Sequence, residues 1–255
     1  MQIDAVKIPG LMKFKKMVHG TSPRFCITED KKKEELNLNP KSDSRHRNNL
    51  RKKFLLSLGT LEREPIFLNQ VHGDQIFCID EMDLSLTGEV LMGDALISNV
   101  PNINIAVFTA DCLPVIMYDP HLNIVGVIHA GRKGTSLKIV SKTLQRMIQK
   151  YGSVPKNIML GFGPGIGGCC YEVGDECLES FRDSYLQVER FTFPKKKGKS
   201  MLDLKLANRL DALGAGILDK NIFDCQICTV CSNNLFFSYR KMDAGRMMTV
   251  AMLLP

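Results

Sequence analysis

The segment NIAVFTADCLPVIMYDP, at positions 104–120, limits the folds open to this chain more than any other. Apolar and β-branched residues fill most of it, which is typical of a strand buried at the centre of a sheet. Asp111 and Cys112 interrupt the run. Because side chains alternate along a regular strand, these two groups are expected to face opposite sides of the sheet. A carboxylate and a thiol in such a place need partners, so the segment is a candidate site as well as a core strand.

Several other segments are predicted to be strands. GDALISN and NIVGVIHAG share the apolar, β-branched composition and are expected to be central strands. IFLNQVHGDQIFCID is predicted to form two short strands with polar residues between them. NIMLGFGPGIGG is predicted to be a strand entering a glycine-rich loop, and NIFDCQICTVC a strand entering another loop. LFFSYRK and RMMTVAMLL are expected to be closing strands.

Helices are predicted between these strands. SRHRNNLRKKFLLSLG has apolar residues at helical spacing and is expected to end at Gly59. A second amphipathic helix follows HAGRKGT and is expected to end near Gly152, with shorter helices around 175–187 and 203–213. Strands and helices mix along the chain without a linker rich in proline or serine. The sequence therefore predicts one domain over 1–255 of the α/β (α+β) class.

Composition excludes several classes of protein. No stretch approaches the roughly 20 apolar residues of a membrane helix. The N-terminus lacks the apolar core of a secretory signal, so we expect a cytoplasmic protein whose nine cysteines stay reduced. The formal charge of +7 lies mainly in three basic runs that are expected to be solvated. Because no nucleic-acid-binding signature accompanies them, we expect an anionic small molecule at most, with no nucleic-acid or membrane partner.

Two of the five histidines end apolar segments, His72 in NQVHG and His129 in GVIHAG. Cys112 lies 17 residues before His129, so pairing of their strands would bring the two side chains together. Two imidazoles and a thiolate suit Zn²⁺, whose catalytic sites keep one position open. Two alternatives remain: ordinary hydrogen bonds beside a buried thiol, and a Cys112 nucleophile with His129 as its base.

Basic residues accompany two of the predicted strand ends. In HAGRKGTS the glycines free the backbone, Arg132 and Lys133 add charge, and a helix is expected to begin near Thr135. A helix N-terminus favours an anion, although a plain strand-to-helix turn with exposed basic residues is the alternative. Arg240 and Arg246, near another strand end, are further candidates for an anionic substrate.

The segment CQICTVC has the pattern C-x-x-C-x-x-C, with Cys225, Cys228 and Cys231. A metal or iron–sulfur site would need a fourth cysteine, and the remaining chain after Cys231 contains none. Cys169 and Cys170 are far away in sequence but would complete such a site if the fold brought them close. Packed thiols are the preferred interpretation of the sequence alone.

Eight short motifs occur in one order along the chain: LNQVHG, GDALIS, TADCLPV, HAGRKG, GPGIGGCCYEVG, LDL, CTVC and FFSYR. Together they resemble the laccase-domain family, once called multicopper polyphenol oxidoreductases and now associated with purine nucleoside phosphorylase activity. The resemblance covers about residues 18–250. It implies a single compact domain with mixed β-sheets flanked by helices.

The resemblance also implies a cofactor and an activity. Zinc would be bound by a His/Cys/His set at His72, Cys112 and His129, with copper as a less favoured metal. The implied reaction is phosphorolysis of adenosine, inosine, guanosine or methylthioadenosine to the base and a ribose 1-phosphate, with adenosine deamination at the same site. Purine nucleosides and phosphate are thus the expected partners. Their expected contacts are Arg24, which matches an arginine of the family's N-terminal motif, together with Arg132, Lys133 and Arg240.

Two departures from the family pattern affect this interpretation. Arg132 stands where the family usually has tryptophan, which makes the base preference uncertain, and the segment after Arg24 lacks the usual glycines. The expected catalytic residues are Cys112, His129, His72 and Asp111, with Tyr171 and Glu172 as further candidates for the general acid or base. Alternatives are a cysteine-nucleophile hydrolase using Cys112 and His129, a copper phenol oxidase, and an inactive binding protein. Five histidines are too few for the trinuclear copper cluster of a laccase.

Overall fold

The computed structural model describes residues 1–40, 45–60, 63–80 and 91–255. The strands are β1 (Met17–Thr21), β2 (Phe25–Ile27), β3 (Lys33–Glu35), β4 (Ile76–Ile79), β5 (Ala95–Ser98), β6 (Ile105–Thr109), β7 (Leu113–Asp119), β8 (Ile124–Ala130), β9 (Met159–Phe162), β10 (Glu172–Gly174), β11 (Thr192–Pro194), β12 (Lys199–Leu202), β13 (Ile222–Asp224) and β14 (Met247–Leu253). The α-helices are α1 (Arg45–Ser57), α2 (Arg132–Ser136), α3 (Ile139–Tyr151), α4 (Glu179–Arg182) and α5 (Leu204–Gly214). The segment that predicted α1 starts at Ser44, which lies outside the described residues.

Six strands form the central sheet in the order β13-β9-β7-β8-β5-β4. Neighbours are antiparallel except at the two edges, where β13 pairs with β9 and β4 with β5 in parallel. β7 and β8 form a hairpin in which Pro114 lies opposite His129. The predicted pairing of the strands next to Cys112 and His129 is therefore confirmed. A mixed sheet with helices on it is the α/β class that the sequence predicts.

The middle strands are apolar on both faces because each lies between two layers. Along β7, Val115 and Met117 pack towards α3 and α5, whereas Ile116 and Tyr118 pack towards a second sheet of order β1-β14-β6. This division follows from the alternation of side chains along a strand. Each large apolar side chain buried in this way contributes about 1.5–3 kcal/mol. The continuous apolar run of β7 is thus a consequence of its position.

The second sheet repeats this arrangement and completes four layers. Within β6, Val107 faces the central sheet, whereas Phe108 faces α1 and packs with Phe54. The order of layers is therefore α3 and α5, central sheet, second sheet, α1. The remaining described strands form two smaller sheets, β10-β12-β11 and β2-β3.

Local sequence signals set the helix ends. Asp203 caps α5, since its carboxylate accepts the backbone N–H of Leu206 at 3.0 Å. Gly152 ends α3 in a left-handed conformation with φ of 76°. α1 and α3 have 13 residues each. Across the described ranges, no helix is both long and apolar enough to cross a membrane.

Three predicted strands differ from the structure. The run at 104–120 is two strands in different sheets, because β6 ends at Thr109 and β7 begins at Leu113. Asp111 and Cys112 therefore lie in the turn between them and not in the middle of a strand. LFFSYRK is not a strand but ends in a 3-10 helix, Tyr239–Lys241, because its phenylalanines are buried without a strand partner. Of the two strands expected in IFLNQVHGDQIFCID, only β4 forms, with isolated bridges before it.

Two predicted helices also differ. The helix expected to begin near Thr135 begins at Arg132 as the five-residue α2, and Lys138, in a left-handed conformation, separates it from α3. The helix expected around 175–187 is a 3-10 turn, Asp175–Leu178, followed by the single turn of α4.

Candidate metal centre and substrate cavity

The turn between β6 and β7 places Cys112, which is half-buried, at the end of the hairpin. Asp111 makes that turn with φ of 85°, a left-handed conformation that aspartate tolerates better than a β-branched residue does. Its carboxylate accepts the Thr229 hydroxyl at 2.6 Å, the Ser238 hydroxyl at 3.0 Å and the backbone N–H of Arg240 at 2.7 Å. Asp111 thus joins the turn to the loop after β13. Both of its oxygens are committed to these bonds.

His72 lies in a turn that is held by the carboxylate of Asp94. That carboxylate accepts the backbone N–H groups of Val71 at 3.3 Å, His72 at 3.0 Å and Gly73 at 2.6 Å. His72 itself has φ of 58°, a conformation that costs a non-glycine residue energy and persists only where its surroundings fix it. The three N–H bonds to a buried carboxylate supply that constraint and orient the imidazole.

Asp94 also orients His129. Its Oδ1 lies 2.7 Å from His129 Nδ1, and both side chains are buried. A proton on Nδ1 leaves Nε2 as the free donor nitrogen, an arrangement that is common for histidines that bind metals. Sequence reasoning did not single out Asp94. The sequence does contain one signal: Asp94 is an acidic residue directly before the buried strand ALIS, and a buried carboxylate needs a partner.

The structure brings His72, Cys112 and His129 together. Their donor atoms all lie within 4.8 Å of one another, and the two imidazole rings are 4.7 Å apart at an angle of 80°. Gly131 makes this approach feasible, since a Cβ there would lie 3.0 Å from Cys112 Sγ and 3.2 Å from His72 Cδ2. Three candidate ligand atoms from three separate segments therefore meet beside Gly131, where a larger residue would fill the space between them.

The charges within this group favour a thiolate. Burial alone would raise the pKa of Cys112, but His129 and His72 outweigh it and lower the pKa to about 6. Burial alone would lower the pKa of His129, but Cys112 and Asp94 raise it to about 9. Without a metal, the pair at neutral pH is thus a thiolate beside an imidazolium. The thiolate is the form that binds a metal and the form that acts as a nucleophile.

A cavity of about 1140 Å³ borders the three residues. Drug-sized ligand pockets span roughly 300–1,000 Å³, so this cavity has room for more than one small ligand. One part of the wall is cationic, with Arg132, Lys133, Arg240 and Arg246. Another part is apolar or aromatic, with Phe67, Phe108, Ile166, Tyr171, Leu204 and Tyr239. The cavity therefore combines a cationic region with an apolar and aromatic surface.

Not every residue expected at the site lies there. Arg24 does not line the cavity, because its guanidinium pairs with Glu35 at 2.9 Å and with Asp243 at 3.2 Å. The carboxylate of Glu172 pairs with Lys199 at 2.7 Å, and Glu172 is also absent from the wall. The expected contacts of Arg24 with phosphate and of Glu172 with the reacting atoms do not agree with these positions.

Comparison with known proteins identifies the family. A family model described as multi-copper polyphenol oxidoreductase laccase matches residues 18–254. This chain therefore belongs to that family. A Bacillus licheniformis crystal structure, of a hypothetical protein YfiH, has the same fold, with a TM-score of 0.84, 32% identity and 94% of each chain covered.

Two relatives carry names that describe an activity. A purine nucleoside phosphorylase of Clostridium acetobutylicum is 38% identical over 184 residues, which are 71% of this chain and 73% of that protein. An adenosine deaminase named RL5, from an unknown prokaryotic organism, is 33% identical over 202 residues, which are 76% and 77% of the two chains. The family thus includes nucleoside-processing enzymes.

Proposed function

We propose that the protein is a zinc-dependent purine nucleoside phosphorylase. It cleaves adenosine, inosine, guanosine or methylthioadenosine with phosphate to give the base and a ribose 1-phosphate, and it deaminates adenosine at the same site. The observation that carries this proposal is the convergence of His72, Cys112 and His129 on a cavity with a cationic and an aromatic wall. The names of two relatives support the same class of reaction.

The donor set fits zinc. Two imidazole nitrogens and one thiolate are ligands that Zn²⁺ accepts in catalytic sites, and the carboxylate of Asp94 on His129 is the usual outer partner of such a histidine. When bound, zinc supplies a Lewis acid and a water of lowered pKa, the nucleophile that deamination needs. Among the described residues only two groups could hold a metal, and the second contains no histidine. The histidines required for a trinuclear copper cluster are therefore lacking in that part of the chain, which favours zinc over copper.

The cationic wall holds the attacking phosphate. Arg132, Lys133 and Arg240 carry the opposite charge, and hydrogen bonds between charged groups are roughly twice as strong as neutral ones. In phosphorolysis a phosphate oxygen bonds to C1′ of the ribose while the bond from C1′ to the base nitrogen breaks. Fixing phosphate on one side of the ribose and the base against the aromatic wall on the other lowers the barrier by positioning.

The departing base needs a proton, and Tyr171 is the group we assign to donate it. Tyr171 lines the cavity, and burial, together with the charge of Cys112, raises its pKa, so the phenol stays protonated at neutral pH. The guanidinium of Arg240 lies 5.2 Å from its ring centroid and fixes its orientation. Asp111 is assigned a positioning role, because its oxygens hold Thr229, Ser238 and the backbone of Arg240.

The proposal is tested by a product profile. Zinc-loaded protein is incubated with each of the four nucleosides and phosphate, and the free base and the ribose 1-phosphate are quantified. Conversion of adenosine to inosine without added phosphate reports deamination. His121→Ala is a matched control for the loss of a histidine outside the site and is expected to keep the activity. His121 is an exposed histidine at the far end of the hairpin. Absence of product from all four nucleosides would refute the proposal.

A second candidate function rests on the spatial arrangement of Asp94, His129 and Cys112. A carboxylate that orients an imidazole beside a thiolate is also the arrangement of a cysteine-nucleophile hydrolase. Zinc content separates the two functions, because both need the same sulfur. Stoichiometric zinc that disappears in Cys112→Ala supports the metal enzyme. A zinc-free protein that hydrolyses esters, and that added zinc inhibits, supports the hydrolase.

A further inference from the structure

Four cysteines outside the candidate active site also converge. Cys169 and Cys170 lie in the glycine-rich loop between β9 and β10, and Cys228 and Cys231 lie in the loop after β13. Backbone bonds between Gly165 and the second loop hold the two loops side by side, including the Thr229 N–H to Gly165 carbonyl bond of 3.1 Å.

The sulfur atoms have the spacing of a single bound ion. Cys169 Sγ lies 3.7 Å from Cys170 Sγ and 3.7 Å from Cys231 Sγ, and Cys170 Sγ lies 3.4 Å from Cys231 Sγ. All four sulfurs, with that of Cys228, are within 4.8 Å of one another. A zinc–sulfur distance of about 2.3 Å in a tetrahedron places neighbouring sulfurs about 3.8 Å apart. An iron–sulfur cluster inserts iron and sulfide between the cysteines and therefore needs them further apart.

The backbone around the cluster suits negatively charged sulfur. The N–H of Gly167 donates to Cys228 Sγ at 3.3 Å. A Cβ at Gly167 would lie 3.2 Å from Cys169 Sγ and 3.3 Å from Cys228 Cβ, so only glycine brings the loop this close without displacing a sulfur. The loop is thus shaped around the sulfur atoms themselves.

Only two of the three cysteines in the C-x-x-C-x-x-C motif belong to the four-cysteine group. Cys225 is outside the four-cysteine group, and its backbone N–H instead extends the contact with β9 through the carbonyl of Phe162 at 3.1 Å. The two missing ligands come from the CC pair of the other loop, more than 50 positions away in sequence. This explains why the motif alone does not predict a complete site.

We infer that Cys169, Cys170, Cys228 and Cys231 bind one structural Zn²⁺ that joins the two loops. Four protein ligands close the coordination shell, which is the arrangement of structural rather than catalytic zinc. The joined loops carry parts of the cavity wall: Tyr171 follows Cys170 directly, and Thr229 and Ser238 hold Asp111. The second ion therefore fixes the position of the wall without contacting substrate.

Zinc content of the purified protein tests this inference. Wild-type protein is expected to hold about two zinc ions per chain, and His129→Ala and the double variant Cys228→Ser/Cys231→Ser about one each. Cys225→Ser is the matched control, because it removes a cysteine of the same motif outside the cluster, and it is expected to keep both ions. The single variant Cys169→Ser, at an exposed position, provides a milder change if the double variant does not fold.

Cobalt substitution identifies the ligands. Co²⁺ bound at the cluster is expected to give intense sulfur-to-cobalt charge-transfer absorption from four thiolates, and this absorption remains in His129→Ala. In Cys228→Ser/Cys231→Ser it falls to the weaker absorption of the single thiolate of Cys112. Two results would overturn the inference: a wild-type protein with a single zinc that His129→Ala removes, or four cluster cysteines that react at once with a thiol reagent in the native zinc-loaded protein. Failure of phosphorolysis leaves these metal measurements unaffected, so the two proposals are tested separately.

Discussion

The His72/Cys112/His129 group and the four-cysteine group are held in different ways. The first is placed by a strand hairpin and a buried carboxylate, and it borders a cavity of about 1140 Å³. The second is placed by two loops, and protein sulfur surrounds its centre. Three ligands beside a cavity leave room for a reactant, whereas four ligands do not. Under the two proposals, one group performs chemistry and the other stabilises the surface on which chemistry takes place.

The largest difference between the groups is expected from removing one ligand of each. In His129→Ala, phosphorolysis is expected to fall by about 10³-fold or more, since a metal contributes several kcal/mol to the transition state. In Cys231→Ser, kcat is expected to change much less, while the KM for nucleoside and the melting temperature change. Steady-state kinetics with inosine and phosphate measures both variants. An equal loss of kcat in the two variants would contradict the assignment of different roles.

Asp94 is the second point of contrast, because the cysteine group has no equivalent carboxylate among its hydrogen-bond partners in the described residues. Asp94→Asn weakens the hydrogen bond that fixes the free nitrogen of His129, so zinc affinity or activity is expected to fall about 10–100-fold. Competition with a chelator measures the affinity. Asp74→Asn is the control, since the carboxylate of Asp74 pairs with Lys142 on α3 among the described residues. Unchanged zinc binding and activity in Asp94→Asn would show that the carboxylate does not orient the ligand.

Phosphate binding should depend on the cationic wall of the cavity that borders the first group. Arg240→Gln removes a cationic side chain and is expected to raise the KM for phosphate about tenfold, the value of one charge-assisted hydrogen bond of about 1.5 kcal/mol. The KM for the nucleoside should change less. Arg209→Gln, which loses only an exposed ion pair with Asp219, is the control. A KM for phosphate unchanged in Arg240→Gln would place the phosphate elsewhere.

Cys112 and Cys170, one thiol from each group, should also differ in their dependence on pH once metal is removed. The imidazoles lower the pKa of Cys112 to about 6, so its thiolate predominates at pH 7 and its alkylation rate is expected to fall about tenfold by pH 5. Burial raises the pKa of Cys170, which should react only at much higher pH. Iodoacetamide labelling of chelator-treated protein, followed by peptide mass spectrometry, measures both rates. Reaction of Cys112 with an apparent pKa near 9 would contradict the charge arrangement.

Local patterns were sufficient for β8, which carries His129, and for α3. The apolar composition of β8 and the glycine that ends α3 predict those elements, and the 17-residue interval between Cys112 and His129 agrees with the observed hairpin. The layer order follows less directly from sequence. The layer order explains why the central strands are apolar on both faces. The composition of a strand alone, however, does not tell which of its faces packs against which layer.

Long-range contacts account for what sequence reasoning missed. The break between β6 and β7 contains no glycine or proline, and the conformation of Asp111 is fixed by Thr229 and Ser238, more than 100 positions away. The pairing of Asp94 with the turn at His72 and the meeting of the two cysteine loops likewise have no local pattern. Arg24 matched a motif, yet nearby carboxylates neutralise it.

An anomalous-difference map at the zinc absorption edge, from crystals of protein purified without chelator, measures the position of the proposed catalytic ion. A strong peak is expected about 2.0–2.3 Å from the imidazole nitrogens of His72 and His129 and the sulfur of Cys112, on the side of the cavity. Protein that converts nucleosides but shows no peak between these three side chains would contradict the account.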